Sequence, residues 1–387
     1  MDSSATSSSS SSQRCWSSDI PRDLLGRIGK CFDGSRLHIL RFRAVCRSWR
    51  SSTPLPPIIS SYLDIPTLTK YPEKLVSCVI ETTIYSIQPL SDSTIPCWFL
   101  RVQHKQEGSD QDTNAILEQY QCCRLDKLDS PYNYPLPKAI NLLDFKVYEI
   151  CNDYRVGIPG WEIRCTSPVA VSSCFKKIGK PNGDGFAVMA MHRDYYRLAL
   201  WRMGVDDKWT LVFDPNNRAH YRFTKFLYSR GKFYVFNWEG LALSLDPAPD
   251  SDLKLTQVAP PPAAGNHQFD NCSLHYVLEC CGVILGMFWL DEKTYDMQVA
   301  RLDEEEQQWI KESGTGGGAL KDHVAFFGPY LLPFYSFVCL AKYLPGYKPN
   351  CIYMDKATYP NRHPPSKPVC GHSGSKLVVF EMENSHA

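Results

Sequence analysis

The sequence predicts a small N-terminal all-α module followed by a large all-β domain, the latter a β-propeller of six or seven blades. Three observations carry this. Residues 20–50 place apolar side chains at helical spacing. From about residue 76 the pattern changes to short runs rich in Val, Ile, Tyr, Phe and Trp, bounded by Gly, Pro, Asn and Asp, with no long helical stripe. A tryptophan-centred hairpin pattern also recurs, Trp209 and Trp309 lying 100 residues apart. With 387 residues, 43% hydrophobic and 12% aromatic, the chain is long enough for two to three domains and for a sizeable core outside the helical module.

Taken in order, residues 1–14 form a serine-rich tail, nearly all serine from Ser3 to Ser12, too polar to offset its ordering entropy and expected to be disordered. It lacks the apolar segment of a secretory signal. Residues 15–53 follow as the helical module. Asp19, Ile20 and Pro21 supply an N-cap and the entry to a helix carrying Leu24, Leu25 and Ile28, with Asp23 near the positive end of its dipole. Asp33-Gly34-Ser35 reads as a turn leading to a short helix. Phe42, Val45, Cys46 and Trp49 then fall at i, i+3, i+4 and i+7, which puts all four on one stripe of a further helix, with Arg43, Arg47 and Arg50 off it. Gly26 and Gly29 each weaken the first helix by about 1 kcal/mol relative to Ala. A module this small buries too little apolar surface to stand alone and must pack on something else.

Charge is concentrated here. Residues 20–52 hold eight Lys or Arg against two Asp, an excess of six positive charges in a chain whose net charge is +1. An arginine-rich helix can track a phosphate backbone, so nucleic-acid binding through Arg41, Arg43, Arg47 and Arg50 is a competing reading. The rest of the chain offers no matching basic composition, and an acidic protein partner would attract the same arginines.

The order Ile-Pro, Asp-Leu-Leu, Ile, then Leu-Arg-Phe-Arg-x-Val-Cys-x-x-Trp-Arg closely resembles an F-box, the segment by which ubiquitin-ligase receptors dock on the Skp-family adaptor of a cullin complex. Ile20 stands where that family usually has Leu. The resemblance implies that Ile20, Pro21, Leu24, Leu25, Ile28, Leu40, Val45, Cys46 and Trp49 supply the adaptor-facing or helix-packing apolar surface. Aliphatic and aromatic anchors of this kind carry most of the energy of an interface, each truncation costing about 2 kcal/mol or more. The alternative is that they are core of a larger helical domain.

Residues 54–75, rich in proline, read as a linker or strap. The all-β domain spans 76–384. Its clearest strands are 186–191, 196–202, 209–213, 232–238, 241–246, 276–280, 283–290 and 297–303, at spacings that suit antiparallel hairpins. LALWRMGVDDKWTLV and QVARLDEEEQQWIKE both run strand, acidic turn, then a Trp opening the next strand. In a propeller such a Trp packs between neighbouring four-stranded sheets, and about 310 residues at about 45 per blade allow six or seven blades. A pair of β-sandwiches is the alternative. The same segments, with RGKFYVFNWEGLALSLD, HYVLECCGVILGMFW and PNCIYMDK, resemble the KIB-type domain of plant F-box proteins, which is related to kelch-containing receptors, over roughly residues 75–383.

Other chemistries find little support. The 16 cysteines show no C-x-x-C pair and no small-framework spacing, so reduced thiols in the nucleus or cytoplasm are expected. His363, Cys370 and His372 lack a fourth ligand at normal spacing, and no metal site is assigned. The stretch between Asp322 and Lys342 carries no Asp, Glu, Lys or Arg. Gly328, Pro329 and Pro333 interrupt it, which favours two buried strands with a turn over a membrane span. Residues 371–375 miss the nucleophile-elbow pattern, and the glycine-rich 314–320 follows a charged segment instead of a buried strand. Asp206-Asp207 and Glu304-Glu305-Glu306 read as solvated turns.

With no catalytic set and no cofactor, the expected role is that of a non-catalytic receptor: the helices dock a Skp-family adaptor and through it a cullin, and the β-domain binds a protein to be ubiquitinated. Arg193, Tyr195, Trp238, Phe288 and Trp289 are candidate target contacts, although strand aromatics are more often core, and the target site is left unassigned. The alternatives are an F-box interaction protein that assembles no ligase, and a nucleic-acid-associated protein.

Overall fold

A computed structural model describes residues 20–32, 36–54, 78–90, 98–103, 121–124, 144–157, 169–172, 186–192, 197–212, 223–248, 251–262, 272–289, 297–312, 318–327, 336–355 and 377–381. Two compact units divide at residue 57. The first holds three helices: α1 (Arg22–Lys30), α2 (Arg36–Ala44) and α3 (Arg47–Ser52). Pro21 is the N-cap residue of α1, its carbonyl accepting from the Leu25 N–H. No side chain caps this end; Asp19, expected to do so, lies outside the described residues, as do the Ser-rich tail, the 33–35 turn and the proline-rich 55–77.

The second unit contains, among the described residues, five four-stranded sheets. The first is β1 (Cys78–Pro89), β2 (Trp98–Gln103), β3 (Gln121–Arg124) and β4 (Phe145–Gly157). The second is β5 (Val169–Val171), β6 (Ala187–His192), β7 (Arg197–Arg202) and β8 (Thr210–Leu211). The third runs through β9 (Phe223–Ser229), β10 (Lys232–Asn237), β11 (Ala242–Leu245) and β12 (Thr256–Ala259). The fourth runs through β13 (Ser273–Cys280), β14 (Val283–Trp289), β15 (Met297–Asp303) and β16 (Gln308–Lys311). The fifth contains β17 (His323–Phe327), β18 (Ser336–Leu340), β19 (Cys351–Asp355) and β20 (Leu377–Glu381).

The middle three sheets are simple meanders. The end sheets are not. In the first, β4 returns to lie beside β1, giving the order β3-β2-β1-β4, and in the fifth β17 pairs antiparallel with β18 but parallel with β19. One edge strand from each sheet faces inward: β4 neighbours β5, β5 neighbours β9, β9 neighbours β13, β13 neighbours β18, and β18 neighbours β4. This closes a ring, and the architecture is a β-propeller.

Blade count among the described residues departs from the expectation of six or seven. Successive sheets from the second to the fifth begin at residues 169, 223, 273 and 323, so the repeat is close to 50 and Trp209 and Trp309 sit two sheets apart. The first sheet spans 78–157, because β1 and β4 run 12 and 13 residues and a long return precedes β4. Dividing the domain by one blade length therefore overcounts.

Apolar clusters fill the spaces between sheets. Phe223, Phe233, Val235 and Leu243 pack on Met189 and Leu200, Phe236 on Phe288 and Trp309, and Met287 and Trp289 on Phe327 and Ile352. Ile84 and Phe99 of the first sheet pack on Val324, Phe326, Phe337 and Tyr353 of the fifth. Trp309 does what the repeat implied: it is buried between the third and fourth sheets, its Nε1 donates to the Gly240 carbonyl at 2.7 Å, and its ring lies 5.1 Å from Phe288. The uncharged 323–341 segment contains the antiparallel pair β17–β18. Among the described residues, no helix is long and apolar enough to cross a membrane.

In the two acidic turns Asp207, Glu305 and Glu306 are exposed as expected, but Asp206 and Glu304 are not simply solvated. Asp206 is held against Arg202, Nη2 to Oδ1 at 2.8 Å, with the arginine side chain 8% and the aspartate side chain 9% exposed. Glu304 accepts from the Tyr234 hydroxyl at 2.8 Å and faces Arg230 at 3.6 Å, which ties the fourth sheet to the third. Burial and the Glu304 carboxylate raise the Tyr234 hydroxyl above its ordinary value.

Candidate functional site

The apolar residues of the helical module fall into two sets. Leu25, Leu37, Ile39 and Phe42 are buried, and the Phe42 ring lies 5.5 Å from Phe32 and 4.5 Å from Trp49. Leu24, Leu40 and Val45 stay 44%, 43% and 53% exposed. Pro21 is exposed, and Ile20, Ile28, Cys46 and Trp49 are half-buried. Of the seven large hydrophobic side chains exposed among the described residues, three thus belong to this module. Exposed leucines scattered singly need no explanation, whereas these three fall within one short segment.

The single stripe expected from Phe42 to Trp49 does not form. The α2 helix ends at Ala44, and Cys46, in extended conformation (φ −162°, ψ 177°), starts α3. Two arginines hold the corner: Arg43 Nη1 donates to the carbonyls of Arg50 (2.8 Å) and Thr53, and Arg50 Nε donates to the Arg43 carbonyl at 3.3 Å. The corner keeps Phe42 and Trp49 together and turns Val45 outward. Periodicity missed it because a spacing of seven brings two rings together across a tight corner as well as along a helix. It also means that two of the four arginines expected to contact phosphate are engaged with backbone carbonyls. Gly29 is buried where α1 meets the end of α3; a Cβ there would stand 2.7 Å from Thr53 Cγ2, whereas at Gly26 it would meet the Ser52 carbonyl oxygen at an ordinary 3.6 Å.

In the propeller, two adjoining inner strands are irregular at the end where they begin. On β9, Phe223 pairs with Asn237 and Lys225 with Phe236, so Thr224 is an extra, bulged residue. On β13, Leu274 pairs with Phe288 and Tyr276 with Met287, which makes His275 the bulge. Bulges re-aim side chains and are over-represented beside functional sites. His275 is thrown against Trp238 (rings 4.4 Å apart) and Trp289 (5.3 Å), and its Nε2 lies 2.9 Å from Ser273 Oγ. Lys225 Nζ sits 5.7 Å from the centre of the Tyr276 ring. Burial, and then the Lys225 charge, lower the His275 pKa to about 4; burial lowers that of Lys225. Trp238, 47% exposed, tops this cluster, and its carbonyl accepts from the Leu274 N–H at 2.8 Å.

Of the candidate target contacts, Trp238 is therefore at the surface. Phe288 and Trp289 are core residues, 0% and 4% exposed, and Arg193 and Tyr195 lie outside the described residues, as do His363, Cys370 and His372. Lys225 and His275 went unnoticed because a lysine in mid-strand hides the inner strand Phe223–Ser229, and a bulge leaves no mark in hydrophobic periodicity.

A short helical module ahead of a closed ring of four-stranded sheets defines the class of β-propeller proteins with a separate helical N-terminal unit. The chain belongs to the KIB1-4 beta-propeller family, whose profile matches residues 50–380. It is similar to the F-box/kelch-repeat protein At1g64840 of Arabidopsis thaliana, 29% identical over 85% of this chain and 80% of that one. F-box/kelch-repeat protein At2g24250 of the same plant is 26% identical over 87% of this chain and 81% of its own length. The F-box protein SKIP23 is 24% identical over 76% and 74%. These names place the chain among plant F-box proteins with a KIB-type propeller.

Proposed function

We propose that this chain is the substrate-recognition subunit of an SCF-type ubiquitin ligase, non-catalytic itself, whose helical module docks a Skp-family adaptor and whose propeller holds a protein target. The observation that carries the reading is the exposure of Leu24, Leu40 and Val45 within a module whose remaining large aliphatics are buried or half-buried. Such a receptor works by proximity: holding an acceptor lysine near a charged conjugating enzyme raises its effective concentration without chemistry by the receptor. We assign target binding to the end of the ring bearing Trp238, His275 and Lys225, where the inner strands depart from regular pairing. Cys31, Cys280 and Cys281 carry thiols outside any disulfide, which supports a nuclear or cytoplasmic setting.

The test is co-purification with a Skp-family adaptor and a cullin. Fully burying a Leu or Val is worth about 1.5–3 kcal/mol, and the three exposed fractions together amount to roughly one and a half side chains. Leu24→Ala/Leu40→Ala/Val45→Ala should therefore weaken adaptor binding by about 2–4 kcal/mol, on the order of 30- to 1,000-fold in Kd, with the helical signal unchanged. Leu25 and Trp49 are unsuitable, because truncating them would disturb the module itself. Wild-type protein that captures no adaptor, or a triple variant that binds as well as wild type, refutes the assignment. Capture of adaptor without cullin would instead identify an F-box interaction protein that assembles no ligase.

A further inference from the structure

Away from the target-binding end, the hairpin between β13 and β14 brings together three metal-ligating atoms. Cys280 Sγ, Cys281 Sγ and a ring nitrogen of His323 all lie within 4.8 Å of one another, and Cys281 Sγ is 3.5 Å from His323 Nε2. Neighbouring residues of a strand point to opposite faces, so two adjacent cysteines would ordinarily part. Here Cys281 and Gly282 form the tight two-residue turn, both with positive φ (52° and 80°), and the chain reverses so that both sulfurs meet at one point. The Gly282 N–H donates to the Glu279 carboxylate, fixing the turn. His323 comes from the next blade, at the start of β17, where its N–H donates to the Leu320 carbonyl (2.9 Å) and its carbonyl accepts from the Asn350 N–H (2.9 Å).

We propose that Cys280, Cys281 and His323 bind a zinc ion that bridges the fourth and fifth blades. Zinc takes thiolate sulfur at about 2.3 Å and imidazole nitrogen at about 2.0–2.1 Å in a tetrahedron, which sets its sulfur–nitrogen edges near roughly 3.6 Å and its sulfur–sulfur edge near roughly 3.8 Å. The observed 3.5 Å between Cys281 Sγ and His323 Nε2 already matches such an edge. Cys280 Sγ now donates to the Ala319 carbonyl at 3.1 Å; on binding, that contact is exchanged for the metal. Each thiol gives its proton to solvent, the sulfurs and the imidazole nitrogen donate electron pairs, and no oxidant or reductant is involved. Cys281 is exposed and His323 half-buried, which leaves a path for the ion and a fourth position for water. Two thiolates and one imidazole favour zinc over magnesium or calcium. Spacing along the sequence could not show the site, because its ligands come from two different blades.

The experiment uses the full-length chain, purified under reducing conditions. Metal analysis should find about one zinc per chain. Removing it with a chelator should lower the unfolding temperature, and re-addition should restore it with saturation at one equivalent. Cobalt, added to the metal-free chain, should give tetrahedral visible absorption with a thiolate-to-cobalt charge-transfer band. Cys281→Ser and His323→Ala should each weaken cobalt uptake at least tenfold, while Cys31→Ser, in the helical module, should not. Wild-type protein that takes up neither zinc nor cobalt overturns the proposal. So does a cobalt spectrum unchanged in both variants, or a Cys280–Cys281 disulfide in place of two thiols.

Discussion

Replacing Asp206 by alanine should destabilise the propeller far more than an acidic turn residue would suggest. The carboxylate accepts three charge-assisted hydrogen bonds from one residue: Arg202 backbone N at 2.8 Å and Nε at 2.9 Å on Oδ2, and Nη2 at 2.8 Å on Oδ1. Both side chains are almost wholly withdrawn from solvent, so water cannot substitute. Removing one partner of a buried pair costs about 3–5 kcal/mol, because the other charge stays buried. Arg202 Nη1 also donates to the Ala248 carbonyl at 3.1 Å, which reaches into the third blade, so the damage should not stay local. Asp206→Asn keeps the shape but has one acceptor oxygen, its amide nitrogen being a donor set against an Arg202 N–H. It also leaves the guanidinium unpaired, so it should lose nearly as much as the alanine. Arg202→Met/Asp206→Leu removes both charges and should recover most of the loss, short of about 1 kcal/mol for the Arg202 N–H left without its acceptor. Urea unfolding followed by tryptophan fluorescence measures all four proteins. At a slope of about 2–3 kcal/mol/M, the Asp206→Ala midpoint should fall by roughly 1–2.5 M. A fall of under about 1 kcal/mol, the worth of a surface pair, would refute the reasoning.

Three further outcomes are expected. Gly26→Ala should stabilise the helical module by up to about 1 kcal/mol, as helix propensity gains with nothing in the way, whereas Gly29→Ala should destabilise it through collision with Thr53; thermal melts of the pair give opposite signs. Trp309→Phe breaks the buried bond to the Gly240 carbonyl, and Gly286→Ala pushes a methyl to 2.7 Å from Trp309 Cζ3. Each should cost about 1–3 kcal/mol in urea unfolding. The pKa of His275 is about 4 when folded and 6.5 when unfolded, so the unfolded chain binds the extra proton between those values. Stability from this residue is therefore complete above pH 6.5 and is lost as pH falls toward 4; NMR titration should find the ring neutral at about pH 5.5, and His275→Phe should flatten that limb of the pH–stability curve.

The helical module and the change of period near residue 76 were legible because they rest on local spacing, as were most strands of the second to fourth sheets, though not β5, β9 or β12. The interval between Trp209 and Trp309 even held the true repeat, two blades of about 50. The blade count was not legible, because the first sheet runs from Cys78 to Gly157, spending two long strands and a return on a single blade. Nor were the roles of Asp206 and Glu304: an acidic cluster between strands reads the same whether its carboxylates meet water or a guanidinium. At the candidate docking face, sequence singled out a segment but not the division within it. Leu24 and Leu25 are indistinguishable in a stripe, yet one is 44% exposed and the other 0%.

Among the described residues, the ring closes without exchange of a strand between its first and last blades, so side chains must hold that seam. They are correspondingly aromatic: across it Phe99 meets Phe326 and Phe337 at 5.7 and 5.5 Å and Tyr148 stacks on Tyr343 at 4.6 Å, while within the fifth blade Phe326 stacks on Phe337 and Tyr353. Aromatic pairs of this kind add about 0.5–1.5 kcal/mol each beyond the area they bury, and the Ser86 hydroxyl donates to the Tyr343 carbonyl at 3.1 Å beside them. Elsewhere, polar links between blades occur at both ends: the Leu274 N–H donates to the Trp238 carbonyl at one, while Glu304 joins Tyr234 and Arg230, and Cys281 meets His323, at the hairpin end. The opposite end carries the two bulges, an exposed indole and a half-buried lysine facing an aromatic ring. A propeller whose seams are fastened along their length and at both ends can tolerate irregular strands without opening. That tolerance is what a recognition surface requires, and it supports assigning target binding to the Trp238 end.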